Sequence, residues 1–200
     1  MSKTVMGWGV AVLGAVLVST SSQAETLTCS YPINSVNTAQ DLLTNFAGGA
    51  FVEDVAGAEG ETHKAIVVYP SDKRRRLEVS FWDEAMTRPS GVGLGVRAKA
   101  WSVAGLNLGA SLAAVEKANG KPFVVSGFDW DYGGYVVDFD GGALSKLGCR
   151  LSLRFSPRPN TSAPAALEGE RKIRSNNPKL VKLAPQVTTI ALGWPDPDRR

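Results

Sequence analysis

The densest collection of side chains able to do chemistry lies between Phe128 and Asp140. Asp129, Asp131, Asp138 and Asp140 are interleaved there with Phe128, Trp130, Tyr132 and Tyr135, and Gly133-Gly134 interrupts the run. On an extended strand, residues two apart share a face. Asp129 with Asp131, or Asp138 with Asp140, would then form a carboxylate pair of the kind that cleaves glycosidic bonds. Counted from Asp129, Asp129, Asp131, Gly134 and Asp140 also fall at positions 1, 3, 6 and 12 of a calcium-loop pattern. That pattern is incomplete, because Gly133 stands at position 5 and an Asp replaces the bidentate Glu at position 12. Exposed turn acids account for the carboxylates equally well. The aromatics have two readings. Phe128, Trp130 and Tyr132 alternate, so they would share one sheet face and pack. Alternatively Trp130, Tyr132 and Tyr135, rimmed by Asp129 and Asp131, form an exposed binding patch of aromatic anchors with a polar border.

Other catalytic signatures are missing from the sequence. It has no glycine-rich phosphate loop, no zinc-ligand spacing and no nucleophile elbow. The single histidine, His63, reads as a structural or exposed residue rather than the base of a Ser-His-Asp triad. Lys73-Arg74-Arg75-Arg76 reads as a solvated hairpin tip. No catalytic residue, metal or cofactor is assigned, and the chain is expected not to be an enzyme.

The elements that must position the aromatic segment follow an apparent export signal. Lys3, the apolar run Met6 to Val18 and Ser22-Gln23-Ala24 have the order of a secretory leader over residues 1–24, with the mature chain starting at Glu25. Loss of Lys3 lowers the formal charge from +3 to +2. Near-neutrality gives no electrostatic reason to expect nucleic-acid binding. No later apolar run reaches membrane length, so a periplasmic or secreted location is expected. In that oxidising setting Cys29 and Cys149 are expected to form one disulfide.

Residues 25–36 read as a polar lead-in. Thr38-Ala39-Gln40-Asp41 has the capping-box pattern and opens a helix bearing Leu42, Leu43 and Phe46, closed at Gly48-Gly49. Phe51-Val52 begins a short strand. His63 to Tyr69 and Leu77 to Phe81 read as a hairpin, and Val92 to Trp101 as a further alternating strand. Ser111 caps a second helix that ends at Asn119-Gly120. Phe123 to Val125, Tyr135 to Phe139, Arg150 to Phe155 and Val187 to Trp194 read as strands, and Glu168 to Lys179 as an exposed charged loop with a helical turn.

The order helix, glycine turn, strand, hairpin, strand occurs twice. Arg76 to Phe81 matches Arg150 to Phe155, and Ile66 to Tyr69 parallels Val136 to Phe139, at an offset near 72 residues. The expected fold is α+β: two tandem helix-plus-antiparallel-sheet repeats, over residues 25–106 and 107–195, with helices packed on one face and a tail at 196–200. The segment Gly105 to Phe123, with its glycine opening, its helix and Gly120-Lys121-Pro122, resembles the repeat of the β-lactamase-inhibitor-protein-like fold. That unit is shared by the small outer-membrane assembly lipoprotein. Gly127-Phe128-x-Trp130-Asp131-Tyr132-Gly133-Gly134 is similar to a segment of an uncharacterised exported bacterial family. The resemblance implies a non-enzymatic module of the envelope that binds a protein partner by a sheet face or hairpin loops. The alternatives are an inhibitor of a secreted hydrolase and a carboxylate-dependent hydrolase centred on Asp129 and Asp131.

Overall fold

The structure, a computed structural model, describes residues 24–57 and 60–199. The expected leader lies outside the described residues, apart from Ala24. The described chain mixes a few short helices with mostly antiparallel strands, an α+β arrangement. Its strands are β1 (Glu25–Thr26), β2 (Ala50–Ala56), β3 (Thr62–Val68), β4 (Leu77–Phe81), β5 (Pro89–Leu94), β6 (Trp101–Ser102), β7 (Val124–Ser126), β8 (Val136–Asp138), β9 (Arg150–Ser156), β10 (Lys172–Arg174) and β11 (Gln186–Gly193). The helices are α1 (Ala39–Asn45), α2 (Leu112–Asn119) and α3 (Pro178–Leu183).

Six strands form one antiparallel sheet in the order β2-β3-β4-β5-β11-β9. The last strand among the described residues, β11, therefore lies in the interior of the sheet, between β5 and β9. A second sheet has the order β10-β7-β8. It is joined to the first at one point, where Tyr135 bridges Arg154 and the Phe155 N–H donates to the Gly134 carbonyl at 2.8 Å.

Strand alternation decides what each sheet face carries. Val68, Leu77 and Leu94 sit opposite one another across β3, β4 and β5, as do Ile66, Val79, Val92, Leu192 and Leu151 across five strands. Residues directly opposite in an antiparallel pair share a face, so these form one continuous apolar layer. Leu42 of α1, Leu112 and Val115 of α2, and Leu180 of α3 are buried in the same core. The opposite face carries Glu78, Ser80, Gly91, Gly93, Ala191, Gly193, Ser152, Arg150 and Arg154. Near β3 a small cluster of Val55, Ala65 and Val67 is buried on that face. Arg76 bonds both Glu53 of β2 at 3.1 Å and Glu78 of β4 at 2.8 Å, so its side chain spans β3 beside that cluster.

The helix ends follow from short-range chemistry. Thr38 caps α1: its hydroxyl accepts from the Asp41 N–H, and the Asp41 carboxylate accepts from the Thr38 N–H at 2.8 Å. The Thr38 backbone bond holds the Asp41 carboxyl below the usual carboxylate range, so the stability it adds is fully present above that range and is lost as pH falls below it, through the lowered value. Ser111 caps α2 by accepting from the Ala114 N–H at 3.2 Å, and Gly120 closes it in the left-handed conformation. Ser111→Ala should cost about 1 kcal/mol in chemical denaturation, whereas Ser111→Asp should restore most of it. Equal stability of Ser111→Ala and the parent would refute the cap.

Four expectations need correction. The lead-in is not merely polar: Leu27 and Ile33 are fully buried, and β1 pairs in parallel with β6. The strand expected from Val92 to Trp101 ends at Leu94, because residues 95–98 turn and leave Val96 89% exposed. The segment Glu168 to Lys179, expected as an exposed loop with a helical turn, has the turn at the start of α3 but is not otherwise a loop. It contributes β10, whose Ile173 is buried, and the start of α3. The hairpin tip Lys73-Arg76 is only half solvated: Arg75 pairs with Glu25 at 2.8 Å and stacks 3.9 Å from the Tyr69 ring centre, while Arg76 makes the pairs above.

Candidate functional site

The aromatic segment is not a strand. Asp129 has φ +61°, which reverses the chain, and residues 131–134 form a turn. The three alternating rings consequently do not share a face. Phe128 is buried, Trp130 is half-buried and Tyr132 is 56% exposed. Packing and exposure thus divide along the segment rather than excluding each other. Trp130 and Tyr132 meet edge to face with centroids 5.5 Å apart, and the Trp130 indole N–H donates to the Gly127 carbonyl at 2.9 Å. The indole is thus fixed by its polar edge, and Tyr132 leans on it towards solvent.

Three supports hold this turn. Residues 165–171 run beside it: the Phe128 N–H donates to Leu167 O at 2.7 Å, the Gly169 N–H to Phe128 O at 2.8 Å, and the Gly127 N–H to Arg171 O at 2.8 Å. Arg154 reaches up from β9, donating to Gly133 O at 2.8 Å and Asp131 O at 3.4 Å, with its guanidinium 5.2 Å from the Tyr135 ring centre. Gly133 and Gly134 supply the third support, because the backbone passes too close for side chains. A Cβ on Gly133 would lie 2.9 Å from Trp130 O, and one on Gly134 would collide with the Phe155 carbonyl.

The turn overlooks the open sheet face. Trp130, Asp131, Tyr132, Tyr135 and Arg154 line one side of a concavity of about 920 Å³; Ala56 and Gly57, at the β2–β3 hairpin end, line the other, with Ser80 and Ala191 on its floor. Ala56, Ser80 and Ala191 also border a neighbouring depression of about 300 Å³ that continues over the sheet. Its floor is made by Gly91, Gly93 and Gly193, and its walls carry His63, Ser80, Ser152 and Arg150. The absence of side chains at Gly91 and Gly93, two apart on one strand face, is what makes this face concave.

Four of the expected binding residues, Trp130, Asp131, Tyr132 and Tyr135, come together on this concavity. Asp129 is exposed and does not line it. Asp131 is exposed as well. Asp138 and Asp140 belong elsewhere: the Asp138 carboxylate accepts from the Asp140 N–H at 2.7 Å, and Asp140 pairs with Arg174 at 3.3 Å and Lys121 at 3.7 Å. Among the described residues no three His, Cys, Asp or Glu side chains converge as a metal site. His63 Nε2 lies 3.0 Å from Ser80 Oγ on the open face.

Sequence reading overlooked Arg150, Arg154 and the glycine floor. The signal was present. Arg150-x-Ser152-x-Arg154 puts two arginines on the polar face of an alternating strand, and Gly91-x-Gly93 strips side chains from the same face two strands away.

Cys29 and Cys149 form the expected disulfide, across 120 residues of chain. No helix among the described residues is long and apolar enough to cross a membrane. Comparisons with protein-family models, curated proteins and solved structures give no match to this chain.

Proposed function

We propose that this chain is a non-enzymatic protein-binding module of the bacterial envelope, periplasmic or secreted, that receives a partner protein on the open sheet face. The observation that carries this reading is a glycine-floored concave sheet overlooked by a braced aromatic turn with Tyr132 exposed. Rigid aromatic anchors beside a pre-formed hollow are what partner recognition uses, since little side-chain entropy is lost on binding. The disulfide supports an oxidising compartment.

The proposal includes two helix-plus-sheet units. Helix α1 precedes the run β2-β3-β4-β5, and α2 precedes β7, β8, β9 and β11, which follow one another in space in the reverse direction from β5. The segments that match in sequence, 76–81 and 150–155, fall on β4 and β9, third in each run. This order supports the resemblance to the inhibitor-protein-like fold, and the inhibitor version of the reading makes the partner a secreted hydrolase.

Gly93→Leu tests the face with little risk to the fold. A Cβ there meets Ala191 Cβ at 3.9 Å and Glu78 O at 4.0 Å, ordinary contacts, and the rest of the side chain fills the hollow. A partner captured from envelope extract by the parent should be recovered at least about tenfold less by Gly93→Leu and by the Trp130→Ala/Tyr132→Ala double variant, with Gly93→Leu melting no lower than the parent. Capture of nothing specific, or equal capture by Gly93→Leu, overturns the reading.

A further inference from the structure

We infer that the bound partner inserts an acidic side chain into the glycine-floored depression, where the Arg150 guanidinium receives its carboxylate. This rests on the open-face reading above and names the chemistry of the contact.

Of the arginines on or beside the open face, Arg76 and Arg154 are held by protein acceptors and Arg150 is not. Glu53 and Glu78 are both engaged by Arg76. Arg154 is committed to the carbonyls of Gly133 and Asp131. Arg150 has no carboxylate within ion-pair distance and no hydrogen-bond partner among the described residues. Its position explains why this matters. Nε and Nη2 lie 3.6 and 3.7 Å from the point a Cβ on Gly193 would occupy, so the guanidinium lies alongside a strand that has no side chain to cover it. The planar fork thus borders the hollow, and Ser80, Ser152 and His63 supply further hydrogen-bonding groups on its walls. A fork of this kind matches a carboxylate bidentately.

The surroundings favour a carboxylate on a protein over a polyanion. Arg150 is the only arginine or lysine lining the depression, so a single negative group is matched. The adjoining concavity carries Trp130, Tyr132 and Tyr135, with Asp131 and Arg154 of opposite charge among them, so it adds aromatic surface and no net positive charge for a second anion. The matching partner surface therefore presents one Asp or Glu flanked by an apolar residue that reaches Trp130 and Tyr132.

A random-peptide display library selected on the immobilised oxidised protein tests the inference, with bound peptides measured individually against variants. Selected peptides should be enriched in an Asp or Glu next to an apolar residue. They should weaken at least tenfold on Arg150→Glu and on Gly93→Leu, and weaken as sodium chloride is raised. Lys179→Glu, a charge change on α3 at a residue that lines neither hollow, should leave them unchanged. Peptides lost on Gly93→Leu but indifferent to Arg150→Glu would sink the acidic contact and leave the open-face reading standing. Peptides indifferent to both, or no enrichment over the Gly93→Leu protein, would overturn both.

Discussion

Gly134→Ala should destabilise the protein by about 3–5 kcal/mol, far more than an alanine at an exposed left-handed glycine. Two effects add at this position. The residue holds φ +78°, and its missing Cβ is the space through which the Phe155 carbonyl of β9 passes. The Phe155 N–H also donates to the Gly134 carbonyl, so any movement that relieves the clash breaks the backbone bridge between the two sheets at Tyr135 and Arg154. Gly141→Ala provides the comparison. Its φ is +69° and nothing lies within 4 Å of a Cβ there, so backbone strain alone costs about 1–2 kcal/mol. Guanidinium unfolding of the two variants measures the difference. If Gly134→Ala were no worse than Gly141→Ala, the close approach of β9 to the aromatic turn would be refuted.

Removing the disulfide should have an effect of similar size. Cys29→Ala with Cys149→Ala, or reduction of the parent protein, should lower stability by about 3–5 kcal/mol through the entropy restored to the unfolded chain. The bridge closes a long segment, joining the lead-in to the residue before β9. Its neighbourhood is already packed: Leu27 and Ile33 are buried on either side of Cys29, and the Trp194 indole N–H donates to the Cys29 carbonyl at 3.0 Å. These contacts should keep the reduced fold native in shape, so near-ultraviolet circular dichroism should be unchanged while the unfolding midpoint falls. Coincident unfolding curves with and without reductant would show that the bridge does not stabilise the fold.

The sequence made some levels of this structure legible and hid others, for physical reasons. Caps were readable because they depend on residues three apart: Thr38 with Asp41, Ser111 with the N–H of Ala114, Gly120 in its left-handed turn. Half-buried strands such as β4 and β9 were readable because alternation survives when one face is dry and one is wet. β10 was not, since Lys172-Ile173-Arg174 buries a single side chain and takes its shape from pairing with β7 rather than from its own pattern. The strand expected after Leu94 failed because its apolar alternation was cut by a turn at Gly95. At the site, residue types pointed to the right segment but not to its form. Alternating Phe128, Trp130 and Tyr132 suggested one shared face, whereas Asp129 turns the chain between them. The concavity itself is a property of residues far apart, Gly91, Gly93 and Gly193 beneath the hairpin end at Gly57 and the turn at Trp130, and no local window contains it.

The interior place of β11 sets an order of events for a chain that emerges from its N-terminus. Until residues 186–193 arrive, β5 and β9 each present an unpaired row of backbone groups to solvent, and both are long enough to recruit foreign strands. The mould on which the partner is proposed to sit is therefore cast last, by the closing pair of two halves that cannot meet earlier. Deleting residues 186–193 would remove a keystone, leaving two part-sheets prone to sticking to other chains instead of a slightly smaller binder.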